Sequence, residues 1–240
     1  MNSSPHIRFS ATTHVGHRRE INEDSILTLS DQHVWAVSDG MGGHTGGDFA
    51  SQAVVDSIAM IDPGLEPSHL MTQVRTSIGR AHDAIRMEAD SRGGATMGAT
   101  IVTMLISGNH FAAFWAGDSR LYRLQNKSIE LLTTDHSMVA SLVMAGQMSW
   151  DEAEQHPQSN AVTRAVGVGD ELELDKIRGE TLPGDRFLLC SDGLTKYATF
   201  DMLERILNRE PIETVADTLQ QVALDGGGAD NISIIVVDVL

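Results

Sequence analysis

The order of apolar runs along this chain restricts its fold more than any other feature. Strand-like runs come first, then two helical stretches, then a series of strands, then two more helices and a last strand. A parallel sheet needs a crossover, usually a helix, between neighbouring strands, so its sequence alternates strand and helix. Here strands follow one another through turns too short for that. Ser107-Gly108-Asn109 alone separates two apolar runs. The expected class is α+β: two stacked antiparallel sheets, each covered on its outer face by a helix pair, in four α-β-β-α layers.

The periodicities predict strands over residues 7–14, 25–29, 34–38, 98–106, 110–116, 120–124, 128–132, 172–177, 186–190 and 232–239. A turn is expected near Asp31-Gln32, and loops over 42–48 and 226–228. Helices are expected over 50–61, 67–92, 138–145, 149–155, 200–208 and 212–223. Leu70, Val74, Ile78, Ala81 and Ile85 form one stripe of the second helix. No linker rich in Pro, Gly or Ser and no long repeat divides the chain, so residues 1–240 read as one domain.

The 240 residues suffice for a core without staples, and 41% are apolar. Cys190 is the only cysteine, which excludes an internal disulfide and points to the cytoplasm. No run approaches the roughly 18 apolar residues of a membrane span, and the N-terminus lacks a signal-peptide pattern. The net charge of −16 argues against nucleic acid as a partner.

Asp39, Asp118, Asp192 and Asp230 each lie at one end of an apolar run. Alone, Asp39-Gly40 and Asp192-Gly193 read as turns, since Asp-Gly is a common turn dipeptide. Together they place two carboxylates at sheet edges, each followed by a glycine that lets the backbone approach an ion. Gly117-Asp118-Ser119-Arg120 and Asp230-Asn231 read as loops by themselves and gain weight in this company. Oxygen-only ligands suit Mg²⁺ or Mn²⁺. The run from Arg19 to Asp24 is by default a solvated loop. Its functional reading makes Arg19 a fork for phosphate, with Glu23 and Asp24 orienting ligands or waters.

Competing sites fail on spacing. The glycines from Gly40 to Gly47 form neither GxGxxG nor GxxxxGK[ST]. No DxDxDG calcium loop and no GxSxG elbow occur. His14 and His17 lack the cysteines of a structural zinc site.

These residues resemble the metal-dependent Ser/Thr protein phosphatases of type 2C, in their compact bacterial form. The likeness spans nearly the whole chain. It runs through Gly16-x-x-Arg19-x-x-Asn22-Glu23-Asp24, Ser38-Asp39-Gly40-Met41-Gly42-Gly43-His44 and Met97-Gly98-Ala99-Thr100. Ala116-Gly117-Asp118-Ser119-Arg120, Leu132-Thr133-x-Asp135-His136-Ser137 and Thr163-Arg164-Ala165-x-Gly167 follow, then Cys190-Ser191-Asp192-Gly193-Leu194 and Asp230-Asn231-Ile232-Ser233. Each motif is weak alone; eight in order are specific.

The resemblance implies a sandwich with a flap at about 140–168. It implies that Asp39 bridges two metals, that the Gly40 carbonyl binds one of them, and that Asp192 and Asp230 complete the first. Asp118 with Asp192 is implied for a third, weaker metal, giving two or three Mn²⁺ or Mg²⁺ per chain. Arg19 matches the phosphate-binding arginine, and Glu23, Asp24 and Asn231 support the ligands. The implied catalytic residues are Asp39, Arg19 and Asp192. The implied reaction is hydrolysis of phosphoserine and phosphothreonine by a hydroxide bridging two metals. The chain departs from animal members at Met41, where they carry a histidine proposed as general acid; His44 lies three residues on. Stand-alone bacterial members oppose Ser/Thr kinases, some in secretion-system gene clusters. Phosphoproteins and a kinase are thus the expected partners of a monomer, with no membrane and no nucleic acid. Two other readings stay open: a catalytically silent binding module, and a hydrolase of small phosphoesters or phospholipids.

Overall fold

The structure, a computed structural model, describes residues 6–42 and 46–240. In chain order it forms β1 (Ile7–His14), β2 (Asp24–Leu29), β3 (Val34–Met41), α1 (Gly47–Ala59), α2 (Pro67–Ser91), β4 (Gly98–Ala99), β5 (Ile101–Ser107), β6 (His110–Ala116) and β7 (Arg120–Gln125). Then come β8 (Ser128–Leu131), α3 (Ala140–Met144), α4 (Trp150–Glu154), β9 (Asp175–Glu180), β10 (Arg186–Cys190), α5 (Asp192–Thr195), α6 (Phe200–Arg209), α7 (Ile212–Gly226) and β11 (Ile232–Val239). Among the described residues, no helix is long and apolar enough to cross a membrane.

Two antiparallel sheets result. One has the order β1-β11-β10-β7-β8; the other is β2-β3-β5-β6-β9, with β4 beside β3. Their inner strands are buried on both faces, which is why they read as continuous apolar runs rather than alternating ones. In β3, Val34 and Ala36 face the helices α1 and α2, while Trp35 and Val37 face the other sheet. In β11, Ile234 and Val236 pack under α6 and α7, while Ile235 and Val237 point inward. Three apolar layers therefore separate the four structural ones. The stripe Leu70, Val74, Ile78, Ala81 and Ile85 is buried as expected from its spacing.

Several boundaries depart from the sequence expectation, and most departures lie near one end of the sandwich. β3 does not stop at residue 38; it runs through Asp39 and Gly40 to Met41, pairing Asp39 with Asp24 and Gly40 with Ala99. The run 98–106 is interrupted at Thr100, whose backbone N–H and carbonyl serve Asp39 and Ser38 instead of a ladder. Residues 192–195 form a helical turn that no periodicity announced. Of the expected loop 42–48, Gly47 and Asp48 belong to α1, and residues 43–45 lie outside the described ones. Gly226 closes α7 rather than opening a loop. The expected strand 172–177 forms instead as β9, because Leu172 and Leu174 pack on the α1–α2 core while the ladder opposite His110–Trp115 takes residues 175–180.

Ile78 is fully buried in the α2 stripe. Ile78→Ala should lower stability by roughly 2–5 kcal/mol and the thermal midpoint by roughly 4–20 °C. Calorimetric unfolding checks this, and a midpoint within a degree of wild type would mean that the α2 layer is loosely packed.

Candidate active site

The chain crosses between the sheets in the β1–β2 and β6–β7 connections, because β1 and β7 lie in one sheet and β2 and β6 in the other. Both crossings meet the end of β3, the end of β10 and the approach to β11 around one cleft of about 260 Å³. Arg19, Glu23, Asp39, Gly40, Asp118, Asp192, Asp230 and Asn231 line it, with Met41, Thr100, Asn160 and Val162. The four aspartates thus come from four separate parts of the chain. Asp24 alone of the expected residues does not reach the cleft wall; it is buried in β2, opposite Asp39.

Backbone bonds set each carboxylate. The Asp39 N–H donates to Thr100 Oγ1 at 3.0 Å, and the Thr100 N–H donates to the Asp39 carbonyl at 2.8 Å. Thr100 Oγ1 also meets Ser119 Oγ at 2.7 Å, so one hydroxyl ties the Asp39 strand to the Asp118 loop. Gly40 has no room for a side chain, since a Cβ there would overlap the Gly47 carbonyl and lie 2.6 Å from that of Glu23. A Cβ on Gly193 would overlap the Asn231 carbonyl, so the turn after Asp192 sits directly on the Asp230 loop. Asn231 staples three segments. Its Nδ2 donates to the Val15 and Ile21 carbonyls at 2.9 and 3.0 Å, and its Oδ1 accepts from the Glu23 N–H at 2.8 Å. That staple carries the loop with Arg19, which meets Asp230 through Nε at 2.8 Å and Nη2 at 3.0 Å.

Charge is unevenly compensated. Burial, then the neighbouring Asp24, Asp192, Asp118 and Asp230, holds the Asp39 carboxyl well above the usual range. Burial and then Asp192 do the same at Asp118. Burial pushes Asp24 up to about 7 even though Ser191 Oγ donates to it at 2.7 Å. Burial also raises Glu23. Asp230 goes the other way: burial opposes its ionisation, but the Arg19 hydrogen bond and the Lys196 ammonium outweigh burial and hold it below the usual range. Two carboxylates about 4 Å apart repel by about 4 kcal/mol at an effective dielectric near 20. Among the described residues no hydrogen-bond partner reaches the buried Asp192 Oδ1. An oxygen-only donor set of mutually repelling carboxylates with an orphaned oxygen fits a hard divalent cation. Among the described residues no three such side chains close on one point as they stand.

Sequence reading missed three contributors. Lys196 bridges Asp192 and Asp230; its i,i+4 spacing from Asp192 becomes a signal only once residues 192–195 are known to be helical. Thr100 was visible in its motif, but not its role as a hub. Arg120, two residues after Asp118, is buried. It pairs bidentately with Asp135, reaches Glu154 of α4 at 2.8 Å and lies 4.9 Å over the Trp150 ring. This network ties the 140–168 segment to the Asp118 loop, and Asn160 and Val162 of that segment line the cleft. Met41 lines it too, offering no titratable group; His44 lies outside the described residues.

Asp24 generates a pH prediction. An acid whose folded pKa is raised stabilises the fold fully below its unfolded pKa and loses that contribution as pH rises through the folded value. In EDTA, stability should therefore fall between about pH 4 and pH 8 as Asp24 titrates near 7. Asp24→Asn should flatten that fall and stabilise the protein at pH 8 by on the order of 2 kcal/mol. Parallel denaturant curves at pH 5 and 8 check it; the same pH 5-to-8 difference in both proteins would exclude Asp24 as the cause.

Comparison with known proteins agrees with this geometry. The sequence model described as protein phosphatase 2C matches residues 12–230. Serine/threonine protein phosphatase PstP of Mycobacterium tuberculosis is 34% identical over 98% of this chain, which spans only 45% of that protein's length. Serine/threonine phosphatase stp of Listeria monocytogenes is 33% identical over 93% of this chain and 91% of its own. Among solved structures, PppA, a key regulatory component of T6SS in Pseudomonas aeruginosa, superposes with a TM-score of 0.91 at 38% identity, covering 99% of this chain and all of its own. The PstP catalytic domain in complex with 2 manganese ions gives 0.88 at 31% identity, with 98% of each chain covered. The chain belongs to the protein phosphatase 2C family.

Proposed function

We propose that this chain is a metal-dependent phosphoprotein phosphatase that hydrolyses phosphoserine and phosphothreonine. The convergence of Asp39, Asp118, Asp192 and Asp230 with Arg19 in one cleft carries the reading. Asp39, Asp192 and Asp230 would hold one cation, Asp39 and the Gly40 carbonyl a second, and Asp118 with Asp192 a third. Mn²⁺ or Mg²⁺ bound there supplies an activated water at neutral pH and counter-charge for the phosphoryl oxygens. The manganese complex of the PstP catalytic domain supports the choice of ion.

The chain's own residues do the rest. Arg19, half exposed at the cleft rim, presents a planar fork that matches two phosphoryl oxygens. Asp230 and the Asn231 staple hold that fork in place, so little order is lost when phosphate arrives. Glu23 accepts from the Gly47 backbone and keeps the Gly40 strand end closed against α1. Met41 donates no proton, so the leaving alkoxide takes its proton from another group. The segment carrying Asn160 and Val162 acts as the flap over the site. Residues 1–240 work as one cytoplasmic, monomeric domain that opposes a Ser/Thr kinase. The likeness to PppA supports a secretion-system setting.

Phosphate release from a phosphothreonine peptide tests the reading. EDTA should abolish it, Mn²⁺ or Mg²⁺ should restore it, and Asp39→Asn or Asp192→Asn should lower it by roughly a hundredfold or more with the fold intact. Arg19→Ala should raise KM; a KM equal to wild type would refute the clamp. Cation at about 100 times its Kd should stabilise the fold by about 2.7 kcal/mol. No release under any metal, from protein that still binds Mn²⁺, would favour a binding module. Release from small phosphoesters alone would favour the third reading.

A further inference from the structure

Lys196 is not among the residues that the family likeness marks, yet it sits among the ligands. It follows the α5 turn, four residues after Asp192. Its Nζ lies 2.8 Å from Asp192 Oδ2 and 3.1 Å from Asp230 Oδ2, with the side chain only 16% exposed. Burial works against its charge, and the two carboxylates more than reverse this. The contact bridges two separate segments: the turn after β10 and the loop before β11. Asp230 is then engaged at both oxygens. Oδ1 takes Arg19 Nε and the Asn231 N–H, and Oδ2 takes Arg19 Nη2 and Lys196. Among the described residues neither Asp39 nor Asp118 has an ion pair. Among the described residues, the cationic side chains that pair with the four aspartates, Arg19 and Lys196, therefore do so at Asp192 and Asp230.

We propose that Lys196 is a built-in counter-cation of the carboxylate cluster, joining Asp192 to Asp230 and competing with a divalent ion for both. The proposal rests on the metal-site reading above and adds to it a residue that sets cation affinity. A +1 charge at hydrogen-bond distance from two ligand oxygens repels an incoming 2+ ion and occupies lone pairs that the ion needs. The same charge offsets carboxylate repulsion whenever cation is scarce. Lys196 is thus a positioning residue that lowers metal affinity and raises the stability of the protein in chelator. The Asp39–Asp118 side of the cleft feels it least.

Mn²⁺ titration calorimetry and thermal unfolding in EDTA, on the 240-residue wild type, Lys196→Met and Lys196→Arg, test this without reference to catalysis. Lys196→Met should bind Mn²⁺ roughly tenfold tighter or more and melt lower in EDTA. Lys196→Arg keeps the charge and should stay near wild type in both. Should Lys196→Met fail to fold in EDTA, Lys196→Gln carries the same comparison. Equal or weaker Mn²⁺ binding by the neutral variant, or an unchanged melting temperature in EDTA, overturns the proposal while leaving the phosphatase reading intact. No Mn²⁺ binding by wild type or variants overturns both.

Discussion

Repulsion among carboxylates gathered at one end of the sandwich is the constraint on which the rest of the structure turns. Burial and the neighbouring carboxylates, Asp192 and Asp230 among them, raise the cost of ionising Asp24, Asp39 and Asp118 inside a partly dry cleft. A flexible loop would relieve that by moving apart. These residues are held on β2, on β3, after β6, at the head of α5 and before β11, where ladders and buried apolar faces fix the backbone. The core thus holds in place an arrangement that the charges alone would disperse, and cations become the means of relieving it.

The protein carries part of that relief in its own side chains. Arg19 and Lys196 both engage Asp230, which is why it is held below the usual carboxylate range. Among the described residues Asp39 and Asp118 have no ion pair, and burial with the neighbouring carboxylates holds both well above it. Among the described residues, the cleft therefore has two carboxylates paired with cationic side chains and two without such a pair. Among the described residues Asp192 Oδ1 has no hydrogen bond although it is buried and Lys196 engages the Oδ2 of the same carboxylate.

The 140–168 segment is tied to this cluster through buried groups rather than by surface contact. Arg120 connects Asp135, Glu154 and the Trp150 ring, and Glu154 also reaches Thr195 on α5. Removing one partner of so buried a network leaves an unpaired charge, which costs far more than an exposed pair is worth. The segment also returns to the core, where Val166 bridges Ala99 and the Gly167 N–H donates to His82 Nδ1 at 2.9 Å. The segment is fastened both to the Asp118 loop and to the core.

Much of this was legible in the chain itself. Period-two and continuous apolar runs gave β1, β6, β10 and β11 their observed bounds, since burial on one or both faces writes itself into local sequence. Motif order brought Arg19, Asp39, Gly40, Asp118, Asp192, Asp230 and Asn231 onto one cleft. What the sequence could not decide were features whose cause is a distant neighbour. β3 extends through Asp39 because β2 and β4 pair with it there; Thr100 leaves the ladder because its backbone and hydroxyl serve Asp39. β9 forms where β6 offers an edge, not where Leu172 and Leu174 suggest a strand. The bridging of Lys196 needs a helical turn and a loop that lie 34 residues apart. The sequence by itself determined which carboxylates and which layers exist, because residue type and periodicity are local. Which charges meet, and which are left without a partner, only the tertiary structure decided, because pairing depends on distances through space.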